Sequence, residues 1–157
     1  MKYRLWMLPA VAMGCGLSTG AMANDGTLSY AELDGLLGKA EQYGFSRYEK
    51  LDVDRDDNVL EVEGWRNDGW ELDVSMQLDD ASLTRESQRR SSVPDWSLTG
   101  DQLRQALSLA QARGMQRFDE LEVDSNGHVE IEGYDANQRD LDLDLRRDAL
   151  TATGETR

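Results

Sequence analysis

The sequence predicts an α+β protein of two tandem repeats, each an N-terminal helix packed on a three- to four-stranded antiparallel β-sheet meander. Two observations lead to this prediction. First, SRYEKLDVDRDDNVLEVEGW, which begins at Ser46, matches QRFDELEVDSNGHVEIEGY, which begins at Gln116, at an offset of 70 that becomes 69 after one extra turn residue. Second, in each copy a stretch with helical periodicity precedes stretches in which apolar and acidic residues alternate.

The first 23 residues predict an export signal. Lys2 and Arg4 precede an apolar run, and Ala21-Met22-Ala23 has the small residues of a cleavage site. We expect cleavage after Ala23 and a periplasmic or secreted protein, because the run is too short to span a bilayer. Cys15 offers a weaker alternative, the lipidation site of a bacterial lipoprotein. After cleavage no cysteine remains, so the fold has no disulfide to stabilise it.

Both repeats, 24–83 and 97–157, begin with an amphipathic helix. Ser29 and Glu32 form the pattern of a capping box and Gly44 ends the first helix, whereas Thr99 and Gln102 cap the second helix and Gly114 ends it. The apolar stripes are Leu33, Leu36, Leu37 and Ala40 in the first helix, and Leu103, Ala106, Leu107 and Ala110 in the second. Each helix therefore has one face to bury.

After each helix the apolar period changes to two, which predicts strands. The alternating apolar positions are Leu51, Val53, Leu60, Val62, Trp70, Leu72, Val74, Met76 and Leu78 in the first repeat, and Leu121, Val123, Val129, Ile131, Leu141, Leu143 and Leu145 in the second. Turn sequences separate them, such as Asn67-Asp68-Gly69 and Ser125-Asn126-Gly127. Residues 84–96, rich in Ser and Arg with Pro94, read as a linker.

The acidic residues between these apolar positions share the other face of each predicted sheet. Trp65 and Tyr134 occupy equivalent places on that face, so we expect it to bind a protein partner that is cationic or a peptidase. The candidate contact residues are Glu61, Glu63, Trp65, Glu71 and Asp73 in the first repeat, and Glu130, Glu132, Tyr134, Asp140, Asp142 and Asp144 in the second. A solvated face and, for Trp65, a cover over the hairpin end are the alternatives. The net charge of −14 makes nucleic acid and anionic membrane surfaces poor partners.

The segment DVDRDDNVLEVEG, from Asp52 to Gly64, suggests a calcium loop, with Asp52, Asp54, Asp56 and Glu63 at positions 1, 3, 5 and 12. An EF-hand also needs a glycine at position 6, where Asp57 stands, and a second helix, where the sequence alternates as strands do. In the second repeat Glu132 falls at position 11, because the turn is one residue shorter. We therefore favour a hairpin, and a divalent-cation (calcium) binding protein using the acidic hairpin turns is the alternative function.

The repeat unit resembles the PepSY domain in its helix, its aromatic-x-x-apolar segment, its acidic turn, the "EVE" motif and the last strand. The second unit resembles it more closely, including the ending Thr153-Gly154-Glu155, where the first unit has Thr84-Arg85-Glu86. The likeness covers nearly all of the chain after Ala23. It implies an exported, non-enzymatic module that binds other proteins and inhibits or modulates a secreted or periplasmic protease, and it offers no active-site residues to carry over.

The sequence predicts no catalytic residues and no cofactor. His128 is the only histidine and lies beside a predicted hairpin turn, so no second imidazole or thiolate can complete a ligand set with it. Carboxylates two residues apart in a strand lie in exposed rows, whereas acid–base catalysis needs one of them buried to raise its pKa. We therefore expect a binding protein rather than an enzyme, and the oligomeric state stays open.

Overall fold

The computed structural model describes residues 27–150, so the predicted signal, its cleavage site and Cys15 lie outside the described residues. The helices are α1 (Tyr30–Tyr43), α2 (Gly100–Ala112) and a short 3-10 helix, η1 (Arg147–Ala149). The strands are β1 (Leu28–Ser29), β2 (Arg47–Asp54), β3 (Val59–Trp65), β4 (Trp70–Gln77), β5 (Leu83–Arg90), β6 (Leu98–Thr99), β7 (Arg117–Val123), β8 (His128–Tyr134) and β9 (Asp140–Arg146). None of the described helices is long and apolar enough to cross a membrane.

The local predictions for both helices are confirmed. The Ser29 side chain accepts a hydrogen bond from the Glu32 backbone N–H, and Thr99 does the same for Gln102, so both capping boxes form. Gly44, with φ 121°, ends α1, and α2 ends at Ala112 with Arg113 as its C-cap, directly before Gly114. The two apolar stripes are buried in one core with the apolar side chains of the strands.

All nine strands form one antiparallel sheet, and this contradicts the predicted fold class of two tandem helix-on-sheet repeats. The strand order is β5-β4-β3-β2-β7-β8-β9, and the short strands β1 and β6 pair with β7 and β2, respectively. The first long strands of the two repeats, β2 and β7, pair with each other. Each of these strand edges carries backbone N–H and C=O groups. Pairing the two edges gives these groups hydrogen-bond partners, whereas two separate sheets would leave them in water.

The β2–β7 junction has local two-fold symmetry. Leu51 pairs with Leu121, Lys50 with Glu122 and Asp52 with Glu120. At the repeat offset of 70, Lys50 corresponds to Glu120 and Asp52 to Glu122. A two-fold rotation about Leu51 and Leu121 therefore exchanges the Lys50–Glu122 pair with the Asp52–Glu120 pair. The helices follow the same symmetry, because α1 contacts β7 and α2 contacts β2. Each repeat therefore supplies a pairing strand and a covering helix to the other.

A β-bulge interrupts each first strand near its start. The register shifts between Tyr48 and Lys50 in the first repeat and between Phe118 and Glu120 in the second. A glycine of the neighbouring strand lies against each bulge, and a Cβ added at Gly64 or Gly133 would stand 2.1 Å or 2.2 Å from a backbone carbonyl oxygen of the bulged strand. Only glycine allows this approach of the two backbones.

The segment expected to be a linker carries strand β5, which contains Leu83 and most of the 84–96 range. All eight residues of β5 are exposed, and the strand lies at one edge of the sheet beside β4. Its sequence has no apolar period because the strand has no core to face. What attaches it is its backbone pairing with β4 and the arginines described below.

Candidate functional site

The acidic face is the face of the sheet that the helices leave uncovered. It carries Glu61 and Glu63 on β3, Glu71 and Asp73 on β4, Glu120 and Glu122 on β7, Glu130 and Glu132 on β8, and Asp140, Asp142 and Asp144 on β9. These residues alternate with buried apolar residues, so the period of two places all of them on one side. The structure thus joins the nine predicted acidic contact residues into one continuous surface across both repeats.

In the first repeat, arginines of β5 form ion pairs with three of the four acids that β3 and β4 carry on the acidic face. Arg85 Nη2 lies 3.2 Å from Glu61 Oε1 and 3.3 Å from Asp73 Oδ1, and Arg89 forms an ion pair with Glu71. The hydrogen bond from Arg89 lowers the pKa of Glu71. Neither arginine was among the predicted site residues, because both lie in the expected linker. Arg85, Ser87 and Arg89 are polar residues spaced by two, and this strand-like spacing was a signal that could have placed them beside β4.

In the second repeat, most of the acidic face has no such partner. Within residues 27–150, no ion pair reaches the exposed carboxylates of Glu122, Glu130, Asp140 and Asp142 or the half-buried carboxylate of Glu132. Burial raises the pKa of Glu132, and the carboxylates of Glu120, Asp142 and Glu130 raise it further. Like charges at neighbouring positions of adjacent strands repel, so this cluster carries a cost that a cation would relieve.

Lys50 lies at the centre of the acidic face, on the junction between the repeats. Its Nζ is 2.9 Å from Glu120 Oε1 and 3.1 Å from Asp52 Oδ2. Burial alone would lower the pKa of Lys50, but hydrogen bonds to Glu120 and Asp52 outweigh it and raise the pKa. Glu63 beside it has a raised pKa, mainly through burial and the nearby Asp73. One ammonium group therefore compensates only part of the negative charge around it.

Neither candidate aromatic side chain presents an open ring to a partner. Trp65 is only 3 % exposed and meets the Trp96 ring edge to face, with centroids 5.6 Å apart, so its ring is covered. Tyr134 is half-buried, and the Arg55 guanidinium lies 5.3 Å from its ring centroid. Arg55 Nη2 also donates to the Tyr134 hydroxyl and lies 2.7 Å from Asp119 Oδ1. The unpaired carboxylates are thus the accessible part of the candidate surface.

The four residues of the calcium alternative lie along a hairpin rather than around a point. Asp54 Oδ1 accepts hydrogen bonds from the backbone N–H groups of Asp56 and Asp57, which closes the β2–β3 turn. Glu63 pairs in register with Lys50, four residues along β2 from Asp54, or about 13 Å at the rise of a strand. Within residues 27–150, no three His, Cys, Asp or Glu side chains are grouped to hold a metal ion. His128 is in ion-pair contact with Asp144, with Nε2 3.1 Å from Oδ1.

No protein-family model matches the chain, and no curated protein matches it significantly. Among solved structures, the chain is similar to the crystal structure of a putative lipoprotein from Clostridium difficile 630. The two share 15 % sequence identity over 83 % of this chain and 93 % of that protein, with a TM-score of 0.37. The acidic face is therefore the feature of the chain from which a function can be inferred.

Proposed function

We propose that this protein is an exported, non-enzymatic binding or regulatory module whose acidic face binds a cationic protein partner. The observation that supports the proposal is the difference between the two repeats. Arginines of β5 form ion pairs with three of the four acids of β3 and β4, Glu61, Glu71 and Asp73, whereas five carboxylates of β7, β8 and β9 have no ion-pair partner among the described residues. The contact surface is accordingly the second repeat's part of the acidic face.

The electrostatics favour a basic partner over a neutral one. Carboxylates on adjacent strands stand about 5 Å apart, and each pair costs a few tenths of a kcal/mol when no cation lies between them. A lysine or arginine placed over Glu130 and Glu132 would replace repulsion by attraction. Because these groups are exposed, the gain appears mainly as faster association and as strong dependence on salt.

The resemblance to PepSY units suggests the regulatory role. A partner of this type is a secreted or periplasmic peptidase, and the module would inhibit or modulate it by covering a basic surface. Adding the purified protein to such a peptidase should change its rate of substrate cleavage. An unchanged rate with a peptidase that binds the protein would separate binding from regulation.

Charge reversal on the second repeat tests the proposal. Immobilised wild-type protein and a Glu130→Lys/Glu132→Lys variant are each incubated with periplasmic extract, and the captured proteins are identified and then purified for affinity measurements. We expect the variant to lose at least about tenfold in affinity for a basic partner. Raising salt from about 0.05 to about 0.5 M should weaken wild-type binding to a similar degree.

The matched control is Asp57→Lys/Asp79→Lys, which changes the net charge equally. Both residues are exposed in turns outside the acidic face and have no ion pair among the described residues. This variant should keep its affinity within about threefold. If the two variants bind equally well, or if salt has no effect, then overall charge or another surface governs binding and the proposal is wrong.

A further inference from the structure

Strand β9 is the counterpart of β4 in the second repeat, but the two strands differ in what pairs with their outer edge. At the offset of 69, Asp140, Asp142 and Asp144 correspond to Glu71, Asp73 and Ser75. The pairings with the preceding strand agree, because Val74 pairs with Val62 and Leu143 with Ile131. On its other side β4 pairs with β5, whereas β9 ends the sheet within residues 27–150.

In β4, the backbone N–H and C=O groups of alternate residues bind β5. The equivalent residues of β9 direct their backbone groups away from the sheet. Ladder bonds at Gly69 and Gln77 join β4 to β5, so Glu71, Asp73 and Ser75 share that direction by alternation. In the second repeat, bonds at Arg139 and Arg147 join β9 to β8, so the even-numbered residues between them direct their N–H and C=O groups away from the sheet. Those residues are the equivalents of the three that bind β5.

The side chains of β9 also match this pattern and extend it. On the acidic face, Asp144 stands where β4 has Ser75, so β9 presents one more carboxylate than β4 does. On the helix side, Leu72 and Met76 are 1 % exposed beside β5, whereas their counterparts Leu141 and Leu145 are only half-buried. An added strand would therefore cover apolar surface and place basic side chains beside three aspartates.

Up to residue 150, the chain after β9 leads away from this edge. After β9 the chain turns through η1, and Leu150 is 2 % exposed, with its carbonyl accepting a hydrogen bond from Gln102 of α2. In the first repeat, the chain after β4 instead continues as the exposed strand β5, which begins at Leu83.

We infer that the outer edge of β9 is a docking site for an extended cationic segment of a partner protein, which adds to the sheet as a strand. The segment resembles β5 in carrying basic residues four positions apart, so that both lie over the acidic face. Backbone bonds to Asp140, Asp142 and Asp144 give the addition its register, and the basic side chains select the segment. The inference depends on the proposed function, because it specifies how the cationic partner of the acidic face is held.

A synthetic peptide with the sequence of residues 83–90 is the probe. Titrated into the full protein, it should slow amide hydrogen exchange at Asp140, Asp142 and Asp144, whose N–H groups otherwise face water. A peptide with glutamate in place of both Arg85 and Arg89 should bind at least about tenfold more weakly. Unchanged exchange at these three amides under saturation with the first peptide would overturn the inference.

Two variants at one position separate the strand edge from the acidic face. Asp142→Pro and Asp142→Ala remove the same charge, but only proline also removes the outward N–H, and an edge strand tolerates proline at such a position. We expect the alanine variant to bind the peptide and the proline variant to bind at least about tenfold more weakly. Equal binding by both variants would overturn the edge inference and leave the proposed function in place. If the proline variant does not fold by circular dichroism, hydrogen exchange in the wild type decides.

Self-association is the remaining outcome, because β5 of a second copy is itself basic. If sedimentation without peptide shows oligomers that Asp142→Pro abolishes and Asp142→Ala keeps, the edge binds another copy and the partner assignment is wrong. A monomer at the same concentrations, together with peptide-dependent protection of the β9 amides, supports it.

Discussion

Replacing Ile131 by alanine should destabilise the first repeat as much as the second. Ile131 is fully buried in the second repeat, in the same core cluster as the apolar residues of the first. Truncation of a buried isoleucine costs about 3 kcal/mol, within a range of about 2 to 5. For about 120 residues the unfolding entropy is about 0.25 kcal/mol/K, so the melting temperature should fall by about 12 °C.

The assay uses tryptophan fluorescence, because Trp65, Trp70 and Trp96 all precede the second helix. A protein expressed from Asn24 onward has no other tryptophan, so its fluorescence reports on the first repeat and the segment after it, and no tryptophan lies in the second repeat. We expect the fluorescence transition of Ile131→Ala to fall by the full amount and to coincide with the transition by circular dichroism. The control Glu130→Gln changes an exposed neighbour and should shift the transition by less than about 2 °C.

An unchanged fluorescence transition, together with two separate steps by circular dichroism, would refute the reasoning. That result would mean that the repeats unfold independently and that the β2–β7 pairing contributes little to stability.

Three further predictions follow from particular contacts. Gly133→Ala should lower the free energy of unfolding in urea by about 2 kcal/mol or more, because the new Cβ would lie 2.2 Å from the Arg117 carbonyl oxygen. The control Gly38→Ala, whose Cβ would have no atom within 4 Å, should stabilise α1 by up to about 1 kcal/mol. Equal unfolding midpoints for the two variants would contradict the predicted clash at Gly133. Lowering the pH from about 7 to about 5 should raise the melting temperature, because burial and neighbouring carboxylates raise the pKa of Glu63 and Glu132, so the folded state takes up protons before the unfolded state does. A Glu63→Gln/Glu132→Gln variant should show a flatter rise, and an identical slope would show that other groups are responsible. Millimolar calcium should shift the melting temperature by less than about 2 °C, whereas a large shift that Asp54→Ala abolishes would favour the ion-binding alternative.

Local structure could be predicted from the sequence because short-range chemistry determines it. Capping boxes at Ser29 and Thr99 and alternation around Val62 and Ile131 depend on neighbours a few residues away. The acidic face could be predicted for the same reason, since parity alone sorts Glu61 and Glu130 from the apolar residues. What parity cannot give is which strand edges meet, so the pairing of Leu51 with Leu121 was missed and the fold class was wrong.

The error at β5 has a different physical origin. A strand is recognised in sequence by the core it faces, and Arg85 and Arg89 face water and carboxylates instead. Their role depends on acids of two other strands, which become neighbours only after the sheet forms. The burial of Trp65 could not be decided from the sequence for a related reason: its parity places it on the outer face, and Trp96, from a distant part of the chain, covers it there.

The reciprocal pairing of Lys50 with Glu122 and of Asp52 with Glu120 is the pattern of an isologous contact, the kind that joins two identical subunits. A polypeptide with a single repeat could make the same contacts with a second copy of itself, and the short N-terminal strand of each copy would pair with the sheet of the other. Fusion of two such copies turns a dimer into a monomer and frees the halves to diverge. Within residues 27–150 the two halves differ, since the basic strand β5 lies at the outer edge of the first and the acidic strand β9 at the outer edge of the second.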